Sequence, residues 1–439
     1  MASEWRTATV ADLQREGVLL VEDGNHGESR PRPDEFVAEG VAFIRAADMD
    51  AGQVRWDSSS RINERARRRI VKGIGVGGDV LLSHKGTVGK VALVRADPPP
   101  FVCSPQTTFW RALDPDVLDR RYLYAFLRSP GFHQQLATRA GETDMAPYVS
   151  LTSQRGLSVT LPPIGVQRAI AGIIGALDDK IELNRRTNQT LEATARALFK
   201  SWFVDFDPVR AKSEGRDPGL PPHLADLIPD SFEDSELGEI PAGWSVLSLD
   251  EFASFRNGLA LQMYPPEADR WLPAIKIAQL RAGHVDAADR ASADLDLEFI
   301  VNDGDVLFSW SGSLECVLWA GGRGALNQHL FKVTSKTAPR WLCYLGVREH
   351  LEEFRQIAAG KATTMGHIQR HHLSAAKLAM PPSPLLRAMD AHLGPLVEST
   401  WKRAVQSRTL ADLRDALLPK LMSGELPVRD AERSVAFAS

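Results

Sequence analysis

Two stretches of the chain place their hydrophobic residues at alternating intervals of four and three, which is the spacing of a helix with one buried edge. Both edges are apolar at their ends and polar in their middle, and the second follows the first by 219 residues. The pattern predicts two helices of about 30 residues that pair antiparallel as a coiled coil about 45 Å long. The apolar edge positions are Leu177, Ile181, Leu191, Leu198 and Trp202 in the first helix and Leu396, Leu410, Leu417 and Leu421 in the second.

The same sequence predicts where these helices begin. A short amphipathic helix is expected to end near Gly175, with the first long helix continuing after it. Pro395 is expected to start the second long helix, because proline is favoured at the first helical position, where no N–H is needed.

The chain also repeats itself once. The sequence GDVLLS at 78–83 recurs as GDVLFS at 304–309, and LPP at 161–163 recurs as MPP at 380–382. Each copy runs from a β-rich region with many glycines to a helical tail that opens with two prolines. Two copies of about 200 residues indicate a domain duplication, since solenoid repeats are about 20–50 residues long.

The segments between these marks predict mixed structure. Residues 75–94 have the alternation of a β-hairpin around 84–86, and 121–141 and 340–360 each read as one helix. Strands and helices do not alternate regularly, so the fold class is expected to be α+β rather than a doubly wound sheet. We expect two similar domains separated by two long antiparallel coiled-coil helices, as a pseudo-twofold internal duplication.

Residues 205–243 contain ten acidic and three basic residues together with six prolines, which is typical of a linker. The predicted segments are a first globular domain at 1–160, a helix region at 161–205, an acidic proline-rich linker at 206–243, a second globular domain at 244–379, a second helix region at 380–425 and a tail at 426–439.

Composition excludes several classes of protein. The chain has 439 residues, a net charge of −4 and three widely spaced cysteines, which argues against a disulfide framework and a cysteine-rich zinc module. It has no apolar run of about 18 residues and no secretory signal, so we expect a cytoplasmic location and no contact with a membrane. Because the acidic segment carries −7, the remaining chain is slightly basic and permits a nucleic-acid partner.

No catalytic or metal site is predicted. Gly73, Gly75 and Gly78 match a dinucleotide pattern but lack a preceding strand and a following helix. The histidines at 367, 371 and 372 lack the acidic or cysteine partners of a zinc site.

Basic and small polar residues remain as candidates for contacts with DNA. Six cations occur within twelve residues at 61–72, and small polar loops follow both copies of the GDVL sequence. The candidates are Arg61, Arg65, Arg67, Arg68, Arg69, Lys72, Ser83, Lys85, Thr87, Lys90, Arg256, Lys276, Ser309, Trp310, Ser311, Ser313, Lys361, Thr363 and Thr364.

Residues 161–212, LPPIGVQRAIAGIIGALDDKIELNRRTNQTLEATARALFKSWFVDFDPVRAK, resemble the central conserved region of specificity subunits of type I restriction-modification systems. Residues 240–258, IPAGWSVLSLDEFASFRNG, resemble the start of their second target-recognition domain. The resemblance covers nearly the whole chain but does not transfer the recognised bases.

The resemblance implies a non-catalytic subunit that reads a split site in double-stranded DNA with two recognition domains, while the helix pair sets the gap between the half-sites. It also implies two modification subunits that methylate adenine with S-adenosylmethionine, and a restriction subunit that cleaves DNA with ATP and Mg²⁺. No cofactor is expected on this chain.

Two other functions remain open. The chain could be a duplicated protein-interaction scaffold without DNA specificity, or a self-contained methyltransferase. DNA binding falls steeply with salt whereas peptide docking does not, and a methyl-transfer assay on the purified chain tests the methyltransferase.

Overall fold

The structure is a computed structural model, and it describes residues 5–140, 147–360 and 366–438, with side chains up to 433. The chain forms two compact units. The first unit comprises Met1–Asp179 with Leu410–Ser439, and the second comprises Lys180–Thr409. The unit boundaries therefore fall within the helix regions rather than at the segment ends predicted from the sequence.

The elements of the first half are mostly short strands followed by one very long helix. The strands are β1 (Arg6–Thr9), β2 (Leu19–Asp23), β3 (Phe36–Val37), β4 (Val41–Ile44), β5 (Met49–Asp50), β6 (Gln53–Val54), β7 (Ser60–Ile62), β8 (Val80–Ser83), β9 (Val91–Leu93), β10 (Phe101–Cys103), β11 (Thr107–Ala112) and β12 (Ser158–Leu161). The helices are α1 (Val10–Arg15), α2 (Glu64–Arg69), α3 (Arg120–Leu127), α4 (Pro130–Ala140), α5 (Leu151–Arg155) and α6 (Ile164–Phe203).

The second half repeats this arrangement. Its strands are β13 (Phe232–Ser235), β14 (Gly238–Pro241), β15 (Ser245–Ser248), β16 (Ser254–Asn257), β17 (Trp271–Ile275), β18 (Arg290–Ser292), β19 (Ile300–Val301), β20 (Val306–Ser309), β21 (Cys316–Leu318), β22 (Gly324–Leu326), β23 (Leu330–Thr334) and β24 (Lys377–Met380). Its helices are α7 (Asp207–Ser213), α8 (Pro222–Ala225), α9 (Leu249–Phe252), α10 (Ile277–Ala282), α11 (Arg340–Glu349), α12 (Leu351–Ala359), α13 (Arg370–Ala375), α14 (Ser383–Ser423) and α15 (Val428–Ala438).

One four-stranded sheet has the same topology in both domains. In the first domain one sheet has the order β2-β11-β8-β9, and in the second the corresponding order is β16-β23-β20-β21. Each domain also contains one parallel pair, β4 with β10 and β17 with β22. The mixed α+β class and the duplication predicted from the sequence are confirmed.

Each domain has a buried cluster between its two four-stranded sheets. In the first domain Ile44, Leu81 and Phe109, from both sheets, belong to one buried cluster. In the second domain Ile275 and Leu307 do the same. Strands buried on both sides read as continuous apolar runs, which is why the GDVLLS and GDVLFS sequences were recognisable as strands.

The long helices are longer than predicted. α6 has 40 residues and α14 has 41, so each is about 60 Å long. Neither Gly175 nor Pro395 interrupts its helix, and the predicted starts there are wrong. A proline inside a helix removes one hydrogen bond, but Leu393 and Val397 beside it are buried and keep this part of α14 packed.

The helices pair in antiparallel fashion inside the second unit. Asn184 of α6 bonds Ser407 of α14 at 3.3 Å, and Asn188, one turn later, bonds the carbonyl of Thr400 at 2.8 Å. In the first unit, Asp178 bonds Arg414 at 2.9 Å. The predicted edge residues are buried or half-buried: Leu177, Ile181, Leu191, Leu198, Trp202, Leu396, Leu410, Leu417 and Leu421. Leu183, off this edge, is 54% exposed.

The acidic segment predicted to be a linker is folded. It forms α7, α8 and the β13–β14 hairpin, and Phe206, Val209, Leu224, Ile228 and Ile240 belong to the core cluster of the second unit. The linker prediction is wrong because the acidic residues and prolines occupy the surface and turns of this segment, while its few apolar residues are buried.

The helices predicted at 121–141 and 340–360 are both interrupted; in the second, α11 ends at Glu349 and α12 begins at Leu351. α3 ends at Leu127 and α4 begins at Pro130. Proline has no N–H to continue the ladder of α3, so it starts a new helix instead.

Candidate nucleic-acid interface

The repeated GDVL sequence forms the same turn in both domains. Gly78 and Gly304 have φ angles of 87° and 88°, in the left-handed region that strains other residues. The carboxylates of Asp79 and Asp305 each accept a hydrogen bond at 2.8 Å from the backbone N–H three residues earlier. Glycine and aspartate therefore shape the turn that leads into β8 and β20.

A buried serine closes the loop at the other end of each strand. Ser83 Oγ accepts a hydrogen bond from the Lys90 amide at 2.8 Å, and Ser309 Oγ accepts one from the Glu315 amide at 2.7 Å. Both side chains are fully buried. Ser83 and Ser309 were predicted to contact DNA, but their hydroxyls are buried and bonded within the loops, so in this structure they hold the loops in shape.

Beyond the serines the two loops follow the same path but present different side chains. Lys85 forms a backbone bridge with Tyr148, and the equivalent Ser311 forms one with His367. Ser311 is buried, and its hydroxyl lies 3.0 Å from His329 Nδ1, so it is also unsuited to a direct DNA contact.

The loop after β20 lies at the strand end remote from α14. A Cβ on Gly304, just before the strand, would lie 3.1 Å from the Trp401 ring of α14, and Asp303 pairs with Arg408 of α14 at 2.8 Å. Four strand residues extend about 13 Å. The Ser309–Ser313 loop is therefore carried away from the helix and towards solvent.

Equivalent arginines attach each domain to helix segments of its own unit. In the first unit Arg128 bonds Asp178 of α6 at 2.5 Å, and Asp178 also binds Arg414 of α14. In the second unit Arg348 pairs with Glu192 of α6. These half-buried pairs attach each domain to its helix segments.

A groove of 280 Å³, which we call the Trp310 groove, opens beside the loop after β20. Trp310 is half-buried, and its indole N–H donates to Asn257 Oδ1 at 3.0 Å and to the Gln328 carbonyl at 3.1 Å. The groove is lined by Asn257, Trp310, Phe331, His367, Ile368, Gln369 and Arg370. Apart from Trp310, these residues were not among the candidates, although the repeat spacing makes 367–370 equivalent to 148–151 in the first domain.

The first domain has a histidine at the position of Trp310. His84 is buried, its Nδ1 lies 3.0 Å from the Val149 carbonyl, and its Nε2 has no hydrogen-bond partner among the described residues. Burial lowers the pKa of His84 below its ordinary value. The imidazole is therefore neutral near pH 7, with an acceptor nitrogen at Nε2.

The exposed tip of the first loop consists of Lys85 and Thr87. The Lys85 ammonium lies 5.7 Å from the centre of the Tyr148 ring. Lys90, by contrast, donates from Nζ to the carbonyls of Ala46 and Met49, both at 3.1 Å. Its ammonium therefore already has protein partners.

The basic run at 61–72 is not a uniform cationic surface. Arg69 forms a bidentate salt bridge with the buried Glu35, with both N–O distances at 2.6 Å. Arg68 pairs with Glu64 at 3.1 Å. The Arg69 guanidinium holds the pKa of Glu35 well below its usual range, at about 2. The view that only Glu64 opposes these cations is wrong, because Glu35 is distant in sequence but adjacent in space.

The other cations of this run differ in availability. Arg61 donates to the carbonyls of Gly40 and Trp56, and Arg67 donates to the carbonyl of Ile70. Arg65 and Lys72 are exposed, and neither has an ion pair within the described part of the chain. They are the two residues of the run best placed to meet a phosphate.

Three candidates of the second domain have other surroundings. Arg256 pairs with Glu298 at 3.0 Å, and Lys276 pairs with Asp289. Ser313 is exposed. Lys361, Thr363 and Thr364 lie outside the described residues.

The described residues contain no group of histidine, cysteine or acidic side chains arranged to hold a metal ion. None of the described helices has the length and apolar character needed to cross a membrane.

Residues 39–193 match the family described as type I restriction modification DNA specificity domain. The MjaIX specificity subunit of Methanocaldococcus jannaschii is 25% identical over 84% of this chain and 82% of its own length. The HindI specificity subunit of Haemophilus influenzae is 24% identical over 97% of this chain and 100% of its own length.

A crystal structure of the S subunit of a type I restriction-modification system from M. genitalium has the same fold. It superposes with a TM-score of 0.54 and 13% identity, covering 95% of this chain and 96% of that chain. The duplicated domains, the paired long helices and these similarities along the sequence agree. Along most of its length, the chain is therefore similar to the DNA specificity subunits of type I restriction-modification systems.

Proposed function

We propose that this chain reads a bipartite site in double-stranded DNA, with one half-site assigned to each domain. One observation carries the proposal: the two domains share a backbone framework at the loops after β8 and β20 but differ in the side chains it presents. Where the first domain has His84 and Tyr148, the second has Trp310 and His367. A duplicated framework with exchanged side chains suits the reading of two different sequences.

We further propose that the chain itself is not catalytic. It docks two modification subunits, which bind S-adenosylmethionine and methylate adenine, and a restriction subunit, which uses ATP and Mg²⁺. The lengths of α6 and α14 set the gap between the half-sites. These roles rest on the family resemblance.

The test is a salt titration of DNA binding by the complex of this chain with its modification subunits. Binding through phosphates predicts a linear fall of log affinity with log salt. Replacing both Arg65 and Lys72 with alanine is expected to reduce the slope by about two units, since each phosphate contact contributes roughly one. Arg68→Ala, which removes an exposed cation paired with Glu64, serves as the control and should change the slope less.

Affinity that does not change with salt would contradict the proposal and favour the interaction scaffold. Methyl transfer by the purified chain without other subunits would contradict the non-catalytic role.

A further inference from the structure

The Trp310 groove presents hydrogen-bond donors to solvent. The indole N–H of Trp310 can only donate, so the atom of Asn257 that accepts it at 3.0 Å is the amide oxygen. That bond turns the Asn257 NH₂ group away from Trp310. No acceptor bonds this nitrogen among the described residues. Asn257 therefore offers a donor whose orientation is fixed by its neighbour.

Arg370 supplies a second set of donors in the same groove. Its guanidinium carbon lies 5.9 Å from the centre of the Phe331 ring, and the side chain is exposed without a carboxylate partner among the described residues. Stacking on an aromatic face limits the orientations of the guanidinium plane. Arginine has no acceptor atom, so both polar groups select for a partner with acceptors.

Among the base edges in the major groove of DNA, guanine alone displays two acceptors, N7 and O6, and no donor. Adenine and cytosine display an amino group, which Arg370 and the Asn257 NH₂ could not accept. We propose that the Trp310 groove reads a guanine in the half-site of the second domain, through Asn257 and Arg370. This inference rests on the proposed function, because it assumes that the domain faces DNA.

The first domain carries the opposite chemistry at the matching position. Asp23 pairs with Thr108 in the ladder of β2 with β11, and Asn257 pairs with Phe331 in the ladder of β16 with β23. Counted from the equivalent strands β8 and β20, Thr108 and Phe331 occupy the same position, so Asp23 and Asn257 correspond. A carboxylate accepts where the amide NH₂ donates, so the guanine preference is assigned to the second domain only.

The experiment compares the methylated motifs in cells that express this chain with its modification subunits. The variants are Asn257→Asp, which keeps the acceptor for Trp310 but removes the donor, and Arg370→Ala. Arg281→Ala is the control, since Arg281 is an exposed cation of the same domain outside the groove. Both groove variants are expected to lose the preference for guanine at one position of one half-site, with the other half-site and the control unchanged.

An unchanged motif in both groove variants overturns the inference, as does a change at a position other than guanine or in both half-sites. Uniform weakening with the motif intact also overturns it, because that is the result of a lost phosphate contact. Absence of a bipartite motif with the unaltered chain would instead overturn the proposed function.

A second measurement does not depend on the folding of variants. Binding of the unaltered complex is measured on DNA in which that guanine is replaced by 7-deazaguanine, which lacks N7, or by hypoxanthine, which keeps N7 and O6. The inference predicts a loss of about 10- to 100-fold with 7-deazaguanine and little loss with hypoxanthine. Equal affinity for guanine and 7-deazaguanine would overturn it.

Discussion

The side-chain amide of Asn188 on α6 donates a hydrogen bond to the backbone carbonyl of Thr400 on α14 at 2.8 Å, inside the contact between the two helices. The Asn188 oxygen is buried and has no hydrogen-bond partner among the described residues. Asn184, one turn earlier and also buried, has more partners, including Gln406 at 2.9 Å and Ser407 at 3.3 Å. The two asparagines both lie on the contact edge of α6, but Asn184 makes more hydrogen bonds to α14 than Asn188 does.

This difference predicts opposite responses to the same substitution. Asn188→Leu is expected to leave the melting temperature unchanged or raise it, because it removes an unsatisfied buried oxygen. Asn184→Leu is expected to cost about 1–3 kcal/mol, because it strands the polar groups of Gln406 and Ser407. Thermal unfolding of both variants measures this difference. Equal loss of stability in the two variants would show that the additional hydrogen bonds of Asn184 do not stabilise the helix pair.

The apolar edge of the helix pair gives a second prediction. Leu410 is 3% exposed and Leu183 is 54% exposed. Leu410→Asp is expected to cost several kcal/mol and to leave the protein aggregated or unfolded, since it buries an unpaired charge. Leu183→Asp is the matched control and should be tolerated. A soluble Leu410→Asp variant with an unchanged melting temperature would contradict the assignment of this edge as a contact.

Periodicity and repetition were enough to predict the long helices, their pairing and the duplicated domains, because burial of one face leaves a regular trace in the sequence. The roles of individual polar residues were not predictable in this way. The sequence shows Ser83 and Ser309 as small polar residues in glycine-rich loops, whereas their burial depends on neighbours that only the fold brings close. Arg69 could not be separated from Arg65 without the position of Glu35, which is 34 residues away.

The serines that close the loops give a third prediction. Ser83→Ala and Ser309→Ala are each expected to cost about 1–2 kcal/mol, because a buried backbone amide loses its acceptor. Neither variant is expected to change the recognised bases by a lost direct contact. Ser313→Ala, at an exposed position of the same loop, should leave stability unchanged. Chemical denaturation of the three variants measures their free energies of unfolding. A Ser309→Ala protein as stable as the unaltered chain would contradict the claim that Ser309 stabilises its loop.

The ion pair of Glu35 with Arg69 gives a pH prediction. The folded pKa of Glu35 is about 2 and its ordinary value is 4.5, so the carboxylate stabilises the fold above the ordinary value. That contribution is lost as the pH falls from about 5 towards about 2. Glu35→Gln should therefore lower stability at neutral pH and reduce the fall of the melting temperature on acidification. Glu64→Gln, which removes an exposed ion pair with Arg68, should show the same dependence of melting temperature on pH as the unaltered protein.

If Glu35→Gln and the unaltered protein lose stability in parallel between about pH 5 and pH 3, the pair does not contribute in the way its geometry implies. In that case Arg69 would again be available as a phosphate contact, and Arg69→Ala would be expected to reduce the salt slope of DNA binding.

The central claim is that the two domains of this chain read the two halves of one DNA site. The most direct measurement is a genome-wide map of methylated adenines in cells that carry this chain together with its modification subunits, compared with cells that carry the modification subunits alone. We predict one motif made of two short specified sequences separated by a gap of fixed length, present only when this chain is expressed. Methylation that is unchanged by this chain, or a single uninterrupted motif, would contradict the account.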